Sequence, residues 1–508
     1  MKKIWGSKKT AILLSYFSIF AQTLSTIILT KIYLDKLGAD MYGLYQMIYS
    51  VAHYILILDL GISTTMIRFI AEFETKKNEE KKENFLFHFL FIIAFLVIIV
   101  SIIGVIINNN LENIYTSLTL EEYKISHTLF SIMVIQIVLT IVAHFFEGIA
   151  MAKEQYAFVK LIDSLNIVFN AILVIALLYL NIGVLGIAIA GLVSIIVKLF
   201  PLVYIDFVKL KVKIKYHYID IPMLQPAFVL MLAMLLQSII GHVNSSVDKT
   251  ILGIMSTKTE VAVYAIAATF VTMFNSLPSA ISSVFQTRAT QLVSSGATPD
   301  ELTEFIIKPG RFQFMVTGGF IAGFILFGKD FITCWAGKDM INAWIYTLII
   351  IIPNMIPLIQ NVCLPILNAM DKRIFRSLIL VSITIINIIL TIILIKHIGP
   401  IGAPIATGIA YLIGHVVLMN IYYYKKIKLN VLKMFKDIFH KTLFCVILAF
   451  AINLPLMFII NNITWLNLII KAGIFCLTYA ILLLIFGLNK EEKEIVNRFL
   501  RKIKLIKE

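Results

Sequence analysis

The chain has 508 residues, of which 60% are hydrophobic and only 14% charged. A soluble globule carries about half apolar and about a quarter charged residues, so the composition excludes one and calls for a bilayer. The net charge of +15 raises nucleic acid as a partner. With both termini placed inside, however, most Lys and Arg fall in the inner loops, which is the bias that orients a membrane protein and faces it to anionic lipid headgroups.

Apolar runs of about 20 residues, the length that crosses the hydrocarbon core as a helix, recur along the whole chain. They lie near 10–31, 43–70, 85–107, 125–150, 157–180, 183–207, 222–254, 259–290, 309–328, 343–369, 374–396, 399–424, 440–461 and 464–487. The fold class expected is an all-α polytopic membrane protein of 14 transmembrane helices by that count. The opening MKKIWGSKKT precedes an apolar run too long for a signal peptide and without a small-x-small cleavage site, so it reads as the first, uncleaved span.

Taken in chain order, helix 1 carries a polar stripe of Ser15, Ser18, Gln22 and Ser25, with Lys31 toward its outer end. Helix 2 holds Asp59 and Arg68, and Glu72 stands four residues beyond Arg68, a spacing at which the two can pair. On helix 4 His144 stands three residues from Glu147, beside Gln136 and Thr140. Helix 5 aligns Asp163, Asn166 and Asn170, with Lys160 and Lys198 able to neutralise the carboxylates. Intramembrane carboxylates are costly and therefore functional suspects, and one beside an imidazole can take up and release a proton.

A near-repeat then appears. Ala152–Leu173 and Ala369–Leu390 match at Ala152/Ala369, Phe158/Phe375 and Asn170/Asn387, an offset of 217 residues, and the next helices open on similar small-residue frames at 182–190 and 398–406. Duplication at six-helix scale is a transporter signature. It implies two pseudo-symmetric six-helix lobes, 1–215 and 216–424, divided in the basic connector Lys209–Asp220, and a remainder 425–508 with two more helices and a tail. In that tail Ile495, Val496, Phe499, Leu500, Ile503 and Ile506 recur at helical spacing among basic residues, as in a helix lying on the inner membrane surface.

In the second lobe helix 7 aligns Gln237, Asn244 and Asp248 beside Lys249, and helix 8 aligns Ser276, Ser279, Ser283, Gln286 and Thr290 with Arg288 near its inner end. Helix 9 is thinned by Gly318, Gly319 and Gly323, and Pro353, Pro357 and Pro365 should bend helix 10. His242 and His415, lone on their helices, read as packing residues. Cys334, Cys363, Cys445 and Cys476 are scattered, so no disulfide framework or metal site is expected. No GxxxxGK[ST], HExxH or DxD motif and no long outer loop is present, so no catalytic residues are expected and ATP-driven pumping lacks its usual parts.

Specific stretches carry a resemblance. Leu37-Gly38-Ala39-Asp40-Met41-Tyr42-Gly43-Leu44-Tyr45, Asp59-Leu60-Gly61 with Arg68-Phe69-Ile70-Ala71-Glu72, and Val247-Asp248-Lys249-Thr250-Ile251-Leu252-Gly253 with Val261-Ala262-Val263-Tyr264 resemble the polysaccharide flippases of the multidrug/oligosaccharidyl-lipid/polysaccharide exporter superfamily. One departure is Ala262, which stands in the second half where the first has Gly43. The resemblance implies a bacterial inner-membrane protein with both termini cytoplasmic. It would move a lipid-linked oligosaccharide unit, usually carried on undecaprenyl pyrophosphate, to the outer leaflet for O-antigen, capsule or a related polymer.

A diphosphate crossing hydrocarbon needs cations in place of its water. Lys31 with Lys249 and Arg68 with Arg288 are the repeat-related pairs expected to bind it, helped by Gln22, Gln237 and Asn244. Asp59, Glu147, Asp163 and Asp248 are the residues expected to couple movement to an H+ or Na+ gradient, with no other cofactor. Partners would be the lipid-linked cargo, membrane lipids, and the polymerase and glycosyltransferases of the same polymer. The rivals are a cation-coupled multidrug exporter or a peptidoglycan-precursor flippase of the same superfamily. A rival from another class is a membrane-embedded polymerase, ligase or acyltransferase, which the short outer loops disfavour.

Overall fold

The structure, a computed structural model, describes residues 8–494 apart from Asp371; the amphipathic tail expected over Ile495–Ile506 lies outside the described residues. Among those described, the regular elements are all helical, with no strand. Twelve stretches are long and apolar enough to cross a membrane, against the fourteen expected. Two features make the difference. The first two expected spans fall in one stretch, Leu13–Thr75, of 63 residues, within which two helical segments meet at the non-helical Gly38. The helix Lys258–Ser294, over the expected span 259–290, is not among the twelve stretches of described residues.

The helices are α1 (Lys8–Ile55), α2 (Ile62–Thr75), α3 (Glu79–Asn109), α4 (Leu120–Ala152), α5 (Tyr156–Tyr179), α6 (Val184–Tyr204), α7 (Ile221–Met255), α8 (Lys258–Ser294), α9 (Pro299–Ala336), α10 (Asn342–Ile359), α11 (Arg373–Ile398), α12 (Gly402–Tyr411, running on through π-helical turns to Ile427), α13 (Val431–Phe439), α14 (Thr442–Asn453) and α15 (Trp465–Leu482). They fall into two compact units that divide between Ala262 and Val263. α7 therefore belongs with α1–α6 as a compact body, although the repeat places it at the head of the second half.

In the first unit the expected outer loop at 37–45 is helical on either side of Gly38, whose backbone (φ 75°, ψ 170°) is not, so two helical segments of α1 meet there. A further break comes later, where the 3-10 turn Leu56–Asp59 is followed by two left-handed residues, Leu60 (φ 52°) and Gly61 (φ 63°), before α2 begins. Gly61 has a second reason to be glycine: a Cβ there would run into the side chain of Met234 on α7. The Leu37–Tyr45 stretch instead builds a corner. Thr259 Oγ1 donates to Asp40 Oδ1 at 2.5 Å, and Lys258 pairs with Glu122, itself part of the capping box that Thr119 makes at the start of α4. The helix that carries Gly43 passes so close to the Lys258 carbonyl that a side chain at Gly43 has no room.

Within each unit the repeat-matched asparagines do the same work. Asn170 Oδ1 on α5 accepts from Ser194 Oγ on α6 (3.3 Å), and Asn387 Nδ2 on α11 donates to Thr407 Oγ1 on α12 (2.8 Å). Interhelical hydrogen bonds of this kind replace the missing hydrophobic drive between helices in lipid. In the second unit Arg311 on α9 fastens the end of the described chain. Its Nε and Nη2 bond both carboxylate oxygens of Glu492 (2.7 and 3.1 Å), Nη2 also bonds the Gly487 carbonyl, and Nη1 bonds the carbonyls of Asp437 and His440. α10 ends at Ile359 and the chain resumes helix only at Cys363. Pro365 removes the donor that the Asn361 carbonyl would use in a continuous helix, which accounts for the interruption.

Candidate functional site

The helix break after α1 sets the position of Asp59. It ends the 3-10 turn, where it can meet α4, and its Oδ1 lies 2.7 Å from His144 Nδ1. His144 was expected to work with Glu147 on its own helix; the structure gives it Asp59 of the break instead. Residues three apart on a helix share a face, but an imidazole directed along the helix axis reaches its neighbour less well than one crossing to a facing element.

Glu147 turns to α6. Lys198 there pairs with Glu147 and also lies 3.0 Å from Asp163 Oδ1 on α5, while Lys160 donates to the other Asp163 oxygen at 2.9 Å. The Lys198 and Glu147 side chains are 13% and 9% exposed, so the cluster is largely dehydrated. Two ammonium groups and two carboxylates close to neutrality, as buried charges require. The pairing of Asp163 with both lysines is the arrangement in which these carboxylates are structurally neutralised. Ser164 joins the cluster to α1 through Ser18 Oγ (2.6 Å).

Lys249 is different. Four Lys and Arg residues are buried among the described residues: Lys82, Lys249, Arg311 and Lys471. Three meet a carboxylate, Lys82 with Glu74 and Glu79, Arg311 with Glu492, and Lys471 with Asp330. Lys249 makes no ion pair among the described residues. Its ammonium donates to Gln46 Oε1 at 3.3 Å and lies 5.5 Å from the Tyr49 ring centroid, a weak cation–π geometry. Tyr49 stacks between Tyr45 (5.8 Å) and His53 (5.2 Å) along α1. His53 Nδ1 in turn stands 3.1 Å from His242 Nδ1 on α7, so His242 faces a second imidazole and is not alone. The i, i+4 run Tyr45, Tyr49, His53 is visible in the sequence and could have been found there; its partners on α7, about 190 residues away, could not.

The other expected cargo residues lie apart. Lys31 is spent on Asp35 at 2.8 Å and its side chain is 38% exposed. Arg68 is exposed, its guanidinium carbon 5.6 Å from the Phe69 ring. It does not pair with Glu72, which Lys76 takes at 2.7 Å; an acid placed four residues ahead of a base is the better orientation on a helix. Gln22, Gln237 and Arg288 are exposed on α1, α7 and α8. Asp248 is buried beside Lys249, and the side chain of Asn244 lies outside the described ones. No group of three or more His, Cys, Asp or Glu able to hold a metal occurs among the described residues.

The fold is similar to solved transporters. It matches the lipid II flippase MurJ in an inward closed conformation with a TM-score of 0.72 and 17% identity, covering 97% of this chain and 100% of that one. An inward-facing multidrug resistance MATE family transporter of the MOP superfamily matches with a TM-score of 0.64 and 15% identity, covering 80% and 96%. A mutant of the Vibrio cholerae MATE transporter VcmN follows at 0.55 and 14%, covering 83% and 98%. No curated protein matches the sequence. The family described as polysaccharide biosynthesis protein matches residues 7–285, 279 of the 508. The chain belongs to that polysaccharide biosynthesis family.

Proposed function

We propose that the protein is a flippase that carries a lipid-linked oligosaccharide unit, on a diphosphate carrier, from the inner to the outer leaflet of the bacterial inner membrane by alternating access. The observation that supports this most is Lys249: a buried ammonium that makes no ion pair among the described residues, where the other three buried cations are each paired with a carboxylate. Such a charge costs several kcal/mol unless an anion arrives to meet it, and a diphosphate is that anion. A multidrug exporter for cationic compounds would gain nothing from this charge. A peptidoglycan-precursor cargo keeps a claim because MurJ, a lipid II flippase by name, matches this chain over its whole length; the two cargoes share the diphosphate and differ in the sugar.

Ion coupling, by this reading, belongs to Asp59 with His144, a carboxylate and an imidazole at 2.7 Å in a break between helices. Glu147 and Asp163, held by Lys198 and Lys160, form the scaffold under it. Asp248, next to Lys249, would sense whether cargo is bound. The test is Lys249→Met beside Lys249→Arg, measuring delivery of a lipid-linked oligosaccharide to the outer face of vesicles containing the purified protein. The Met variant should fold and lose at least about tenfold in rate, the loss expected when a charge-assisted contact goes, while Arg keeps most of it. Unchanged delivery by the Met variant removes the cation from the mechanism and with it the main support for an anionic cargo.

A further inference from the structure

The repeat offset relates the first unit's ion cluster to a place in the second unit that has changed sign. Adding 217 takes Glu147 to Leu364, Asp163 to Leu380 and Val159 to Arg376, while the offset of 216 between the frames of the next helices takes Lys198 to Gly414, beside His415. Leu364, Leu380, Arg376 and His415 line one partly enclosed pocket of about 210 Å³, between α10 with its continuation, α11 and α12. Leucines stand where the first unit has its two carboxylates, and an arginine where it has a valine. None of the residues lining the pocket is acidic, and Arg376 makes no ion pair among the described residues.

The walls are built to receive something polar. Asn361 lies where α10 is interrupted, and His415 lies in the π-helical stretch Leu412–Leu418 of α12, a distortion that recurs at functional sites. The His415 ring packs edge-on to Tyr411 at 5.6 Å, and Gln360 is held by Asn420 Oδ1 at 2.7 Å. The volume equals that of about seven waters at ~30 Å³ each. A phosphate group fits; an oligosaccharide does not.

We infer that this pocket is a second anion site, in which the Arg376 guanidinium, assisted by His415 and Asn361, binds a phosphate group. A guanidinium presents a planar fork of donors matched to phosphate oxygens, and with no ion pair among the described residues its charge is available. The inference is separate from the cargo reading and does not depend on transport. The phosphate can come from an anionic lipid headgroup or from a soluble phosphate, and the two are told apart by the probe.

The experiment uses the purified full chain in two arms. One exchanges it into nanodiscs of phosphatidylcholine with or without phosphatidylglycerol and counts retained phosphatidylglycerol by native mass spectrometry; the other titrates inorganic phosphate calorimetrically. Arg376→Gln should weaken binding about tenfold in the arm that binds, as loss of a charge-assisted contact does, and Arg376→Lys should retain most of it. Leu380→Asp, which restores the first unit's carboxylate, should weaken binding comparably without removing any donor. Response in the lipid arm alone assigns a headgroup, and response to inorganic phosphate assigns a soluble ligand. If neither probe binds, or if Arg376→Gln and Leu380→Asp bind as the unaltered chain does while keeping its melting temperature, the site is refuted.

Discussion

Removing the Lys198 ammonium, as in Lys198→Met, should leave two carboxylates in unequal trouble. Taking one partner from a buried ion pair costs about 3–5 kcal/mol because the remaining charge is stranded. Glu147, 9% exposed, pairs with no cation but Lys198 among the described residues, whereas Asp163, 20% exposed, keeps Lys160 at 2.9 Å. Most of the penalty therefore belongs to Glu147. Adding Glu147→Gln should recover about 2 kcal/mol or more, short of the full amount because a buried amide still needs hydrogen bonds worth ~1–3 kcal/mol. Adding Asp163→Asn should recover less than about 1 kcal/mol, since it unpairs Lys160 in its turn. The assay is the denaturant midpoint of the purified protein in lipid nanodiscs, with the variants compared as a double-mutant cycle. Equal rescue by both second substitutions, or no shift for Lys198→Met, would refute the assignment of the stranded charge. The same proteins separate scaffold from coupling: the Lys198→Met, Glu147→Gln chain should transport if the cluster only supports the fold.

Two further outcomes follow from single contacts. Asp59→Asn leaves His144 without its carboxylate and should alter the dependence of delivery on an imposed pH or sodium gradient, measured in vesicles, with little change in melting temperature because Asp59 is 24% exposed; an unaltered gradient dependence removes the pair from coupling. Gly43→Ala puts a methyl group against the Lys258 carbonyl, a backbone atom that cannot step aside. It should cost about 1–3 kcal/mol, the usual price of overpacking, read as lower yield and melting temperature, while Gly38→Ala, with no atom within 4 Å, should cost only its backbone strain.

What could be read from the amino acids follows the range of the interaction. Composition and apolar run length gave the all-helical membrane class, because bilayer thickness acts on each helix by itself. The count was less secure. Run length placed a break at 37–45, where two helical segments do meet at Gly38, and missed the one at Asp59-Leu60-Gly61, where the apolar run continued. The repeat was legible as matched letters, and the matched Asn170 and Asn387 each bond a hydroxyl on the helix that follows. Charge partners were legible only where both lie on one helix or where a cluster is crowded enough to leave little choice. Lys160 and Lys198 around Asp163 were foreseen; His144 with Asp59 and His53 with His242 join residues 85 and 189 positions apart and were not. Exposure of Arg68 and Arg288 was equally out of reach, since a helix sequence alone does not say which flank is covered.

The duplicated ancestry sharpens the argument about charge. In a membrane interior a lone cation is lost to mutation easily, because Leu or Met at the same place removes a desolvation cost and keeps the packing. The first unit follows that logic, balancing Lys160 and Lys198 against Asp163 and Glu147. At the equivalent places in the second unit the acids have gone and a guanidinium has entered, so that balance has been given up. On α7 Lys249 stands in the same condition, buried and without an acid among the described residues. Packing gains nothing from either cation, whereas an anionic ligand would regain the lost solvation for both. Two departures from neutrality among the described residues, one in each unit, point to the same ligand chemistry, and each has its own test: Lys249→Met in delivery of the cargo and Arg376→Gln in phosphate binding.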